Sequence, residues 1–212
     1  MGTSERKEKE KMIRREDIIN AAERVFFNKS YELSTMDEVA KEAQYSKRTL
    51  YVYFQSKEQL LHAIMFRAYR TLNEMFKRIL DENKKLNGFS QLKLLGETYL
   101  NFMMTHTKYF ETIVLYNGYK SELPIEDEFR KASDTEGEIS FNYFIEVLKK
   151  ATLDQSIRND IDIKKTAFIL YANVIGISNL LINKESYLLE HQITSEELIK
   201  ELFRFVERSL EK

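Results

Sequence analysis

Six glycines and one proline in 212 residues leave this chain little turn chemistry, where average usage supplies about 15 and about 11. Folds of many short strands and tight turns need those residues, so sandwiches, propellers and collagen-like rods are excluded. Disorder is excluded as well: 43% of the residues are hydrophobic and 12% aromatic, too apolar for a chain that stays solvated. An all-α fold of one or two domains follows, long enough to bury a core. The 33 basic and 34 acidic side chains nearly cancel. Any affinity for nucleic acid must then come from where the basic residues sit. With no cysteine there is no disulfide framework, zinc–thiolate site or thiol nucleophile, and a reducing cytoplasm suits the chain.

Apolar periodicity and capping signals divide the sequence into nine helices. The first runs from about Lys11 to Asn28, with Ile18, Ala21, Ala22, Val25 and Phe26 as its inner stripe. Thr35-Met36-Asp37-Glu38 has capping-box form and opens a short second helix. Ser46 caps a short third that ends near Tyr53, with Leu50 and Phe54 on its buried side. A long fourth helix starts after Ser56, and Asn87-Gly88 marks its stop. Further helices span about Ser90–Thr105, Lys108–Asn117, Glu126–Thr152, Asp162–Asn183 and Ser195–Leu210. Residues 1–10 read as a flexible arm.

Targeting signals are not found: Met1 to Glu16 is charged and lacks the apolar stretch of a secretory signal. Thr166 to Asn183 runs eighteen residues without a charge, but is marginal in length for a membrane span and carries Asn173, Gly176, Ser178 and Asn179. It reads instead as a helix buried on all sides, which a dimer requires more often than a monomer.

The informative stretch lies between Thr35 and Lys57. Two short helices joined by a tight turn after a longer helix form a helix-turn-helix arrangement. The second short helix is sized to enter a major groove about 12 Å wide. With Leu50 and Phe54 inward, Arg48 and Val52 point outward at 100° per residue, flanked by Thr49 and Tyr51. From Gln44 to Lys57 there are three basic residues and no acidic one, interleaved with Tyr45, Tyr51 and Tyr53. Arg48 suits a guanine edge, and Val52 or Thr49 a thymine methyl. Thr35, Lys47, Tyr53 and Lys57 are placed for phosphates, and the Lys57 amide lies at a helix N-terminus.

Arg15–Phe26, Ser34–Ala43, Tyr45–Phe54 and Ser56–Leu61 together resemble the amino-terminal domain of the TetR family of transcriptional regulators. The resemblance covers about residues 12 to 61; beyond it only helix count and length agree. It implies a nine-helix TetR-like fold. A three-helix DNA-binding domain over 1–56 precedes an effector-binding and dimerisation domain over 57–212. It implies a homodimer, a repressor as the usual output, and Thr35, Lys47, Tyr51, Tyr53 and Lys57 as DNA contacts, with Ser46 capping the recognition helix. Three residues depart from the family pattern: Gln44 stands at the turn glycine, Tyr45 at a small aliphatic and Arg48 at another frequent glycine.

Reading a two-fold site places the two recognition helices about 34–36 Å apart, so the chain must dimerise. The last two helices supply the candidates: Ala172, Gly176, Ile177 and Leu180, then Leu202, Phe205 and Val206. Met65, Tyr69, Tyr99, Met103, His106, Tyr109, Phe110, Phe141 and Phe144 are candidates to line a pocket for a small, largely apolar effector. A ligand that fits better when the fourth helix tilts would release DNA, and moving occupancy from 99:1 to 1:99 takes about 5.5 kcal/mol. No catalytic motif is present: His62, His106 and His191 are scattered, with no metal-binding pair, nucleophile elbow or phosphate loop. The chain thus reads as no enzyme, with no metal, cofactor or membrane partner. The competing reading is a helical adaptor that binds protein and not DNA.

Overall fold

The computed structural model describes residues 3–117 and 120–212. Among the described residues there is no strand, and ten helices follow in order: α1 (Thr3–Lys29), α2 (Met36–Glu42), α3 (Lys47–Tyr53), α4 (Lys57–Glu82), α5 (Gly88–Thr105), α6 (Thr107–Asn117), α7 (Glu128–Leu153), α8 (Ile163–Asn183), α9 (Glu185–Glu190) and α10 (Ser195–Leu210). The helix beyond the expected nine is α9. Its six residues are too few for an amphipathic period to register, yet Leu188 anchors it in the core. The other difference is at the start. Helix α1 begins at Thr3 and not near Lys11, so residues 3–10 are helical where a flexible arm is expected. This stretch consists largely of Glu, Lys and Arg, good helix formers that pair one turn apart, as Arg14 does with Glu10 at 3.5 Å.

The chain divides into two compact units, Met1–Tyr69 with Glu111–Thr135, and Arg70–Phe110 with Glu136–Lys212. In the first, Ile18, Ala21, Ala22, Val39, Leu50, Phe54, Leu60 and Ile64 are fully buried, which realises the apolar stripes of α1 to α4. Phe129 completes this core against Phe54, with ring centroids 4.8 Å apart. Arg67 on α4 fastens α1 by reaching Glu16 at 2.5 Å, Asn20 at 2.8 Å and Glu23 at 3.0 Å. His62 is buried here beside Ser133 at 2.6 Å and Ser121 at 3.2 Å, and Ser121 in turn donates to Glu58. Burial pushes the His62 pKa down, against the pull of Asp134 and Glu58.

The second unit is built on aromatic rings. Phe76, Tyr99, Phe102, Phe110 and Phe144 are buried, and Tyr99 meets Phe110 edge-on at 6.0 Å, as Phe76 meets Phe144 at 5.7 Å. Gly88 does not end α4; it opens α5, where it lies against the backbone of Ala151 on α7. Helix α8 differs from its expected all-round burial. Ala167, Leu170, Val174 and Ser178 face the core, while Phe168, Ile169 and Leu180 are exposed. Only 22% of its apolar window is buried, although its length and composition would also suit a membrane span.

With glycine scarce, helix ends use other residues in the left-handed region: Ser30, Gln44, Gln155 and Gln192. At Gln44, φ is 58°. The Gln44 amide donates to Lys41 at 3.1 Å and that of Tyr45 to Ala40 at 3.0 Å, the Schellman pattern that glycine usually serves. Gln44→Gly should therefore stabilise the protein by about 1 kcal/mol, since a β-carbon is disfavoured in this conformation. Thermal unfolding should show a rise of about 2–4 °C.

Candidate nucleic-acid interface

The helix-turn-helix is set by local capping chemistry. The Thr35 hydroxyl accepts from the Glu38 amide at 3.3 Å, while Thr35 donates its own amide to the Glu38 carboxylate at 2.9 Å. That is the capping box expected from the sequence. The Thr35 hydroxyl also donates to Glu38 at 3.0 Å. Lys29 adds an ion pair to the same carboxylate at 2.5 Å, and these contacts hold the Glu38 carboxyl below its usual range. Ser46 caps α3 by accepting from the Thr49 amide at 3.1 Å, and its hydroxyl lies 2.8 Å from that of Thr49. The bulky Tyr45 at the turn has a partner that explains it: its hydroxyl donates to Asp17 on α1 at 2.9 Å, tying turn to scaffold and raising the Tyr45 pKa.

The structure then sorts the nine expected DNA-binding residues. Leu50 and Phe54 are fully buried, which turns the opposite side of α3 to solvent. Arg48 is exposed and makes no hydrogen bond or ion pair among the described residues; one turn on, Val52 is 73% exposed, and Tyr51 beside it is 41% exposed. Thr35 and Ser46 are exposed caps, while Thr49 and Tyr53 are half-buried. Lys47 reaches Asp37 on α2 at 2.7 Å, a contact that raises its pKa. Both partners are exposed, so a phosphate can compete for that ammonium.

Lys57 differs from expectation. Its ammonium donates to the carbonyls of Tyr31 at 2.8 Å, Ser34 at 3.0 Å and Glu32 at 3.3 Å, and lies 4.4 Å from the Tyr31 ring centroid. An ammonium has three donors, and here all three meet backbone oxygens of the α1–α2 loop. Sequence reasoning missed both Asp37 and this carbonyl cage. An acid one helix away from Lys47 was a visible signal; backbone oxygens leave none.

The nine expected effector residues are divided between the two units. Met65 and Tyr69 belong to the core of the first unit. In the second, Tyr99, Met103 and Phe110 are buried packing residues. His106, at the C-terminal end of α5, is stacked between Phe102 and Tyr109, and Phe141 packs on Phe168 at 4.4 Å. Phe144 alone among them lines the narrow apolar cavity of about 50 Å³ between α5, α7, α8 and α10. Its other walls include Leu92, Gly96, Val174, Leu202 and Val206, with Lys93, Asn173 and Glu207 as polar residues. The expected dimer residues divide: two of them, Leu202 and Val206, wall this cavity. Ala172, Gly176, Leu180 and Phe205 are exposed, and Ile177, Leu202 and Val206 are half-buried.

Residues 18–64 match the model for bacterial regulatory proteins of the tetR family, the stretch that contains every helix-turn-helix residue described above. The chain belongs to the TetR family. The TetR-family assignment agrees with 33% identity over 149 residues to the HTH-type transcriptional regulator YuxN of Bacillus subtilis, covering 67% of this chain and 45% of YuxN. The chain spans less than half the length of the curated relatives it matches. The fold of the TetR-family chain resembles that of FadR from Bacillus subtilis in complex with stearoyl-CoA, with a TM-score of 0.68 at 17% identity, over 89% of this chain and 95% of FadR. It also resembles AibR in complex with isovaleryl coenzyme A and operator DNA, with a TM-score of 0.67 at 21% identity over 90% and 96%.

Proposed function

We propose that this chain is a cytoplasmic transcriptional regulator, a repressor in its output, that binds a palindromic operator as a homodimer and leaves it when a small, largely apolar effector binds. The observation that carries the reading is the outward face of α3, where Arg48 and Val52 stand exposed one turn apart while Leu50 and Phe54 anchor the helix. A long bidentate donor beside an exposed apolar side chain suits base edges in a major groove. In this reading residues 1–56 bind DNA, and 57–212 bind effector and dimerise. The outer faces of α8 and α10 meet a second copy, bringing two recognition helices onto one operator.

The cavity between α5, α7, α8 and α10 is the proposed effector site. At about 50 Å³ it is far below the ~300 Å³ or more of a small-molecule pocket, so an effector fits only after its walls part. That supplies the differential affinity a switch needs. The acyl-CoA complexes of FadR and AibR support an effector with an apolar chain, and tilting of α4 remains the proposed route to the DNA-binding half.

Selecting sites from random-sequence duplexes and titrating them against salt tests the function. A steep fall of affinity with salt and a two-fold consensus are expected; a chain that ignores duplex DNA is the adaptor instead. Arg48→Ala should reduce discrimination at one position of each half-site by about 10- to 100-fold, the worth of one bidentate base contact. Unchanged base preference would remove Arg48 as a reader.

A further inference from the structure

We propose that Lys57 acts on DNA binding through the α1–α2 loop, as a positioning residue that locks the capped start of α2 to the start of α4, and not as a phosphate ligand. The inference rests on the DNA-binding reading above and assigns Lys57 a role opposite to the one its place in the sequence implies.

Two independent contacts define the lock. The ammonium draws together three carbonyls of one loop, those of Tyr31, Glu32 and Ser34, and the same nitrogen sits over the Tyr31 ring at 4.4 Å. The loop it holds is internally braced. Ser34 is buried, its hydroxyl donates to the Ser30 carbonyl at 2.5 Å, and Ser30 itself has a φ of 75°. The next residue is Thr35, whose hydroxyl and amide form the capping box of α2. Lys57 is also the first residue of α4, so the ammonium joins the beginning of one helix to the cap of another.

Release toward a phosphate would break three hydrogen bonds, one of them to the carbonyl of buried Ser34, to gain one partner. Lys47 shows the contrast: it is well exposed, with a single exposed carboxylate to exchange. Of the two lysines, Lys47 is free to follow a phosphate, while Lys57 is committed to the loop. A rotation at the start of α4 therefore displaces Thr35 and α2, which braces the recognition helix.

The test compares wild type with Lys57→Met, which keeps the stem over Tyr31 and removes the donors. The duplex is one recovered from random-sequence selection with wild-type protein. Affinity should fall by about tenfold, the size expected for undoing one helix cap, while the slope of log K against log salt stays unchanged. Amide exchange at Ser34, Thr35 and Glu38 should quicken. The double variant Lys57→Met, Thr35→Ala should lose less than the sum of the single losses, because both act on one capped loop. A slope shallower by about one unit identifies a phosphate contact and overturns the proposal; so do additive losses or unchanged exchange. If Lys57→Met does not fold, Tyr31→Leu takes its place. It leaves the charge intact and should weaken binding at constant slope; unchanged binding overturns the proposal. A wild type that binds no duplex removes the DNA-binding reading, and amide exchange in the full-length protein still decides whether the lock exists.

Discussion

Gly88→Ala should destabilise the protein by about 3 kcal/mol, the upper end of the usual cost of forcing extra volume into a packed interior. A β-carbon on Gly88 would lie 2.2 Å from both the Cα and the backbone nitrogen of Ala151. Those atoms belong to the last turn of α7 and cannot swing aside as a flexible side chain would. The amide bonds at this corner tighten it further: Gly88 donates to Asp154 at 2.6 Å and Phe89 to Ser156 at 2.9 Å. To admit one methyl group, α5 must lift from α7 and strain both bonds. Thermal unfolding should fall by about 6–12 °C. A shift below about 2 °C would show that the two helix ends part easily.

Phe205→Glu should leave each subunit folded and yet weaken operator binding by about 10²- to 10⁴-fold, the advantage normally gained by joining two binding modules. Phe205 is 62% exposed on α10, so a carboxylate there disturbs little of the core. In the proposed homodimer it would sit in a desolvated apolar face beside the exposed side of α8, where an unpaired charge is costly. Sedimentation equilibrium should show single subunits, circular dichroism an unchanged helix content, and duplex titration the loss of affinity. If the variant remains dimeric and binds as before, the subunits meet elsewhere.

Local chemistry was legible in the sequence, and long-range approach was not. Thr35 and Ser46 cap the helices their spacing announces, because a cap is decided within four residues. Arg48 and Val52 face outward because Leu50 and Phe54, on the same short helix, face inward. By contrast Gly88 looks like a helix stop beside Asn87, and its reason lies 63 residues away at Ala151. The carbonyls of Tyr31, Glu32 and Ser34 that hold Lys57 were not legible, because no side-chain pattern encodes backbone oxygens. The cavity proposed for the effector was the least legible feature. Aromatic and Met residues serve core and cavity alike, and only the packing of α5, α7, α8 and α10 singles out Phe144.

Helices α8 and α10 each have two working sides. Val174, Leu202 and Val206 wall the cavity, and Ala172, Gly176, Leu180 and Phe205 lie open to solvent. In the proposed assembly the same two helices thus stand between a ligand and a neighbouring subunit. Thermodynamic reciprocity then couples them: whatever factor the ligand imposes on subunit association, association imposes on ligand affinity. The dose at which such a regulator responds is set in part by how many copies of itself surround it.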